Sequence, residues 1–141
     1  MEKGDLITAV VLAAALFFIF VVFGTSEPIP EDPHIIQGLL NTSMQHELSN
    51  QTYLKVFYSP SCPACRKQLP ELYELAKGGT FIQLIDVYQY SEEAVREDIN
   101  ATPTTFVIGP LGMERNEGYL SKDKLLEAIG MVSHKNTTGI G

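Results

Sequence analysis

Residues 53–72 read "YLKVFYSPSCPACRKQLPEL" and contain both cysteines of this 141-residue chain. The first six residues are almost continuously apolar, which is typical of a strand that is covered on both faces of a sheet. From 63 to 77 the apolar residues recur at helical spacing, and Gly78 and Gly79 end that pattern. The cysteines therefore lie at a predicted turn from a strand to a helix.

The position of the two cysteines favours a reactive pair. A thiol at the first turn of a helix meets unpaired backbone N–H groups and the positive end of the helix dipole, and both stabilise its thiolate. Cys62 has that position, and Cys65 follows one turn later, where the helix and the preceding strand shield it. We therefore predict that Cys62 attacks a disulfide and that Cys65 resolves the product.

A metal site and a structural disulfide are the two alternatives for these cysteines. A metal needs about four ligands, and beyond the cysteines the chain has only three histidines, none at zinc-finger spacing (His34, His46, His134). A disulfide that closes so short a loop constrains the unfolded chain little. We therefore expect neither a bound metal nor another cofactor.

The rest of the chain predicts alternating helices and strands. Asp32 followed by Pro33 has the composition of a helix start, and the apolar residues after it fall on one helical face. Beyond the cysteine helix, the sequence predicts a strand, a short helix, a β-rich strand, an edge strand after a turn, and a last helix (80–88, 91–99, 104–108, 113–120, 121–132). This order describes an α/β fold, a mixed sheet with helices on both faces.

The strand, the "CPAC" that opens a helix and an isolated "TP" before a β-rich strand resemble the thioredoxin-like disulfide oxidoreductases over roughly residues 33–132. Pro70 stands eight positions after the first cysteine, where this family has a proline kink in its helix. Pro103 follows Cys62 by 41 residues, and the resemblance implies a cis proline beside the disulfide. It further implies that Thr102 presents its backbone to an extended substrate segment.

Several positions depart from the pattern of this family. Thioredoxin has a tryptophan just before its first cysteine and a buried aspartate six residues before it, and this chain has Ser61 and Val56 there. Pro63 and Ala64 also replace the histidine with which the strongest oxidants of the family stabilise their thiolate. Only backbone amides then remain for Cys62, so we expect an intermediate redox potential.

An uncharged run near the amino terminus predicts a membrane segment. Residues 6–23 are 18 positions without a charge, and as a helix they would span about 27 Å, close to the bilayer hydrocarbon. The length favours an uncleaved anchor, and small residues near Gly24 leave a cleaved signal peptide as the alternative. Lys3 precedes the run and the next basic residue is Lys55, so the positive-inside rule places the later residues outside the cytoplasm.

The predicted organisation has five parts: a short N-terminal segment 1–5, a transmembrane anchor 6–23, an extended linker 24–32, a thioredoxin-like domain 33–132 and a disordered tail 133–141. Export agrees with four Asn-x-Ser/Thr frames (Asn41, Asn50, Asn100, Asn136). The net charge of −7, without a basic cluster, argues against nucleic acid as a partner.

These observations together predict a thiol–disulfide oxidoreductase. It would cross the cell membrane once, with its redox domain on the extracytoplasmic side, and exchange disulfides with exported cysteine-containing proteins. Cys62 and Cys65 would be catalytic, Thr102 and Pro103 would bind substrate, and a membrane or soluble redox partner would restore the pair. Two alternatives stay open: a reductant for exported cysteines that await haem or metal, and a peptide-binding module whose disulfide never exchanges.

Overall fold

A computed structural model describes residues 3–23 and 31–133, with the side chains of residues 8–18 and 31–133. The described helices are α1 (Lys3–Phe23), α2 (Thr42–Leu48), α3 (Pro63–Lys77), α4 (Ser91–Arg96) and α5 (Lys122–Val132). The described strands are β1 (Ile35–Gln37), β2 (Tyr53–Tyr58), β3 (Phe81–Asp86), β4 (Thr104–Gly109) and β5 (Gly112–Glu117).

The described strands form one sheet in the order β1-β3-β2-β4-β5. β1 and β2 both pair parallel with β3, whereas β4 pairs antiparallel with β2, and β5 antiparallel with β4. The three parallel strands therefore begin at one end of the sheet and finish at the other, where α3 starts directly after β2. The predicted mixed sheet is confirmed.

Helices cover both faces of this sheet. On one face, α3 and α5 pack over a core that includes Leu54, Leu72 and Leu125, which are almost completely buried. On the other face, the rings of Phe57 and Phe106 meet edge to face, with centroids 5.8 Å apart, in a second cluster that α4 joins. Burial of each such side chain contributes about 1.5 to 3 kcal/mol to folding, so the two clusters hold the helices on opposite faces.

The helix predicted to begin at Asp32 and Pro33 is wrong, because this segment is the edge strand β1. The backbone of β1 forms hydrogen bonds with β3. A short helix in its place would have only its own hydrogen bonds and would be marginally stable. Gly38 then takes a φ of 102°, which ends the strand. The nearby helix is α2 instead, where the side chain of Asn41 accepts a hydrogen bond from the backbone N–H of Met44 at 2.9 Å.

The predicted anchor overlaps α1. Within the described part of the chain, no helix is long and apolar enough to cross a membrane. The membrane anchor at 6–23 and its orientation stay predictions. Residues 24–30 of the predicted linker and 134–141 of the predicted tail lie outside the described residues.

Candidate active site

Cys62 is the N-cap residue of α3, and Pro63 occupies the first helical position. The Cys62 backbone is extended, with φ −81° and ψ 118°, and its Sγ accepts a hydrogen bond from the backbone N–H of Cys65 at 3.3 Å. A Ser, Thr, Asp or Asn side chain usually fills this role. The thiol thus faces the N–H groups at the start of the helix, and the predicted strand-to-helix placement of the cysteines is confirmed.

The two cysteines differ in exposure. Both are free thiols, but Cys62 is half-buried whereas Cys65 is only 2% exposed. Cys65 lies in the larger apolar cluster together with Tyr58 and Leu72. Only Cys62 is therefore open to a macromolecular disulfide without movement of the core.

Hydrogen bonds separate the pKa values of the two thiols. Burial is the largest effect at Cys62 and raises its pKa, but hydrogen bonds with Cys65, with Thr102 and with the N–H groups of Cys65 and Ala64 together outweigh it. The pKa of Cys62 is therefore lowered. Burial is also the largest effect at Cys65, and there the hydrogen bond with Cys62 adds to it, so that the pKa rises to about 11.

The segment before β4 lies against Cys62. The Thr102–Pro103 peptide bond is cis, as the resemblance implied, and Pro103 is buried while Thr102 is half-buried. The carbonyl oxygen of Thr102 accepts a hydrogen bond from the Cys62 thiol, with 3.3 Å between sulfur and oxygen. The fold thus brings the four predicted site residues to one place (Cys62, Cys65, Thr102, Pro103).

The sequence analysis missed Arg115, which holds the segment that leads to Thr102. Its guanidinium, on the edge strand β5, donates hydrogen bonds to the backbone carbonyls of Glu97 at 3.0 Å and Asp98 at 2.8 Å. A charged residue on an exposed edge strand usually indicates only protection against edge-to-edge pairing. No sequence signal therefore pointed to a contact with the residues after α4.

The two positions that depart from thioredoxin have different surroundings. Val56 is 1% exposed and belongs to the same apolar cluster as Cys65. Ser61 is exposed, and its hydroxyl shares a hydrogen bond of 2.9 Å with the hydroxyl of Ser59. In the part of the chain that the structure describes, no group of three or more His, Cys, Asp or Glu residues is placed to hold a metal ion.

Comparisons with known proteins agree with this fold. No protein-family model matches the chain. The curated protein "Thioredoxin 2" of Plasmodium berghei (strain Anka) is 31% identical over 86 residues, which cover 58% of this chain and 55% of that protein. The chain thus spans about half the length of this curated relative.

Solved thioredoxin structures are similar as well. A mutant thioredoxin from Halobacterium salinarum has a TM-score of 0.63 at 21% identity, covering 75% of this chain and 97% of that one. Fasciola hepatica thioredoxin has a TM-score of 0.57 at 26% identity, covering 64% of this chain and 88% of that one. The chain therefore has a thioredoxin-like fold, and Cys62 and Cys65 lie three positions apart at the start of its α3.

Proposed function

We propose that this protein exchanges disulfides, with Cys62 as the attacking thiolate and Cys65 as the resolving thiol. The observation that carries the proposal is the position of the Cys62 sulfur. This sulfur accepts a hydrogen bond from the backbone N–H of Cys65 at the start of α3, and it lies 3.3 Å from the Thr102 carbonyl oxygen. Cys65 is close behind it and buried. This arrangement gives one accessible nucleophile and one shielded thiol that can act only after a mixed disulfide has formed.

The exchange has two steps. The Cys62 thiolate attacks one sulfur of the substrate disulfide, a bond forms between Cys62 and that sulfur, and the other substrate thiolate leaves and takes a proton from water. Cys65 then gives its proton to the medium, attacks the Cys62 sulfur and displaces the remaining substrate thiolate. The substrate gains two electrons and the pair becomes a disulfide. The same steps in reverse transfer a disulfide to a dithiol substrate.

Thr102 and Pro103 would hold the substrate beside Cys62. An extended peptide can add its backbone to the exposed backbone of such a segment, so that main-chain hydrogen bonds supply affinity for many sequences. The half-buried Thr102 lies next to the reactive sulfur, and the buried Pro103 fixes its neighbour to the core. A bound substrate disulfide would then be close to Cys62 for attack.

The proposal includes a location. Residues 6–23 would anchor the protein in the cell membrane, with the redox domain on the extracytoplasmic side, exported cysteine-containing proteins as substrates and a membrane or soluble protein as redox partner. The uncharged run and the preceding Lys3 support this orientation. β2 begins at the end of the sheet where the domain starts, and its six residues place Cys62 roughly 20 Å away. A tether at residue 31 would therefore leave the cysteines accessible.

A trapping experiment tests the chemistry. The Cys65→Ser variant lacks the resolving thiol, so it should accumulate covalent complexes between Cys62 and exported proteins, and reductant should release them. The matched Cys62→Ser variant should trap nothing. Adducts that form on Cys62→Ser instead would reverse the roles of the two thiols. The absence of adducts from both variants would contradict disulfide exchange.

Protease accessibility tests the location. Protease added to intact cells should digest residues 24–141, because the proposed orientation places them outside. Protection of that region would overturn the orientation. Recovery of a soluble form that begins near Thr25 would overturn the anchor.

A further inference from the structure

We propose that Arg115 is a positioning residue for substrate binding, because it holds residues 97–102 so that the Thr102 carbonyl stays beside Cys62. The proposal rests on the proposed function of the cysteine pair. It assigns a role to a residue on the sheet edge that touches neither cysteine.

The contacts of Arg115 are directed at backbone. Its Nη1 donates to the Glu97 carbonyl at 3.0 Å, and its Nη2 donates to the Asp98 carbonyl at 2.8 Å. These carbonyls follow the last turn of α4, where unpaired C=O groups and the negative end of the helix favour a cation. The ring of Phe106, directly opposite Arg115 in the β4–β5 ladder, lies 5.5 Å from the guanidinium carbon. This ring supports the guanidinium in its place.

The held segment has a specific conformation. Asp98 has a φ of 52°, in the left-handed region that few residues other than glycine adopt readily. The Asn100 side chain donates to the Asp98 carbonyl at 3.2 Å, so that carbonyl accepts from Asn100 and Arg115 together. At the far end, the backbone N–H of Gly118 donates to the Pro103 carbonyl at 2.8 Å. Arg115 of β5 and Gly118, directly after β5, thus hold the two ends of residues 97–103 and, through them, the position of the Thr102 carbonyl.

Two ion pairs lie beside these carbonyl contacts, and the one with Glu117 provides a control. Arg115 also pairs with Glu117 at 2.8 Å, but the Glu117 side chain is 52% exposed, and exposed pairs contribute little. Lys55 pairs with the Glu97 side chain at 2.8 Å from the sheet side. The carbonyl contacts of Arg115 are therefore the feature that separates this proposal from a general effect of surface charge.

The test compares two substrates. One is a synthetic peptide with a single internal disulfide, and the other is a small aromatic disulfide without peptide backbone. Arg115→Ala should raise the KM for the peptide about tenfold, because hydrogen bonds to a charged group are lost. Its kcat should stay within about threefold of the wild type, and the small disulfide should react at the wild-type rate. Arg115→Lys should restore part of the peptide KM, and Glu117→Gln, which keeps both carbonyl contacts, should match the wild type.

Three outcomes would overturn the positioning role: an unchanged peptide KM in folded Arg115→Ala, an equal loss with both substrates, or the same loss in Glu117→Gln. Urea denaturation of each variant shows that the fold persists, and Arg115→Lys replaces Arg115→Ala if the latter unfolds. If wild-type protein exchanges no disulfide, the proposed function fails instead. Hydrogen exchange then tests the positioning role without any substrate. The hydrogen-bonded amides at the two ends of the segment, those of Ile99 and Gly118, should exchange faster in Arg115→Ala, and unchanged rates would contradict the role.

Discussion

The two thiols should differ in reactivity by more than tenfold at neutral pH. Cys65 has its pKa raised to about 11, so only about 3 in 10,000 of its thiols are ionised at pH 7.5. An ordinary thiol, with a pKa of about 8.5, is about 300-fold more ionised than Cys65 at that pH. A thiolate of lower pKa is a weaker nucleophile, by about 10- to 20-fold over this interval, so the ordinary thiol would still react about 20-fold faster than Cys65. The hydrogen bonds at Cys62 lower its pKa, whereas burial raises that of Cys65, so we expect Cys62 to be the faster thiol by more than about tenfold.

The assay is the rate of alkylation by excess iodoacetamide. The Cys65→Ser variant reports the rate of Cys62, and the Cys62→Ser variant reports the rate of Cys65. Serine at position 62 can still cap α3, because its hydroxyl accepts the same N–H bond. The deep burial of Cys65 should widen the difference further. Rates within about threefold of each other, or a faster Cys65, would refute the division of labour that the helix start and the burial imply.

Three further predictions concern stability and pH. Gly109→Ala should lower the free energy of unfolding in urea by about 1 to 3 kcal/mol, because a Cβ there would meet the last carbonyl of α5 and lie 2.9 Å from the Thr52 hydroxyl. The control Gly130→Ala, where a Cβ has open space within α5, should be neutral or stabilising. Gln68→Leu should cost about 2 to 4 kcal/mol, because the buried Gln68 amide makes two hydrogen bonds with the Leu120 backbone, at 2.9 and 2.7 Å; a loss below 1 kcal/mol would contradict this. In the reduced protein, the raised pKa of Cys65 means that its buried neutral thiol contributes fully to the free energy of unfolding below about pH 8.5, and that this contribution is lost as pH rises through about 11. By pH 10 the wild type should therefore lose about 2 kcal/mol of stability relative to Cys65→Ala, and a difference that does not change with pH would contradict this.

Strong local signals made part of the fold predictable. β2 spans Tyr53–Tyr58 and α3 spans Pro63–Lys77, the same bounds that the apolar run, the helical spacing and the two glycines predict. A strand buried on both faces needs a continuous apolar run, and a helix of this length needs a regular apolar face, so both elements leave a clear pattern. The position of the cysteines between them follows directly.

The edge strand β1 left no such pattern. It has three residues, too few for alternation to show, and its conformation depends on a partner 47 residues later in the chain. Asp32-Pro33 is a common helix start, and nothing local opposes that interpretation before Gly38. Pairing with β3 outweighed the local preference, because short helices are only marginally stable without tertiary contacts.

The active site divides along the same line between local and distant information. The reactivity of Cys62 follows from its own helix start, and a sequence motif predicts it. The position of Thr102 depends instead on residues that no motif joins: the φ of Asp98, the side chain of Asn100 and the guanidinium of Arg115 on a separate strand. Since the sulfur and the Thr102 carbonyl are 40 residues apart and meet at 3.3 Å, a small displacement of either element separates them. In the proposed function, attack on a disulfide would therefore depend on the start of α3, whereas recognition of a peptide would depend on how Arg115 of β5 holds the segment before β4.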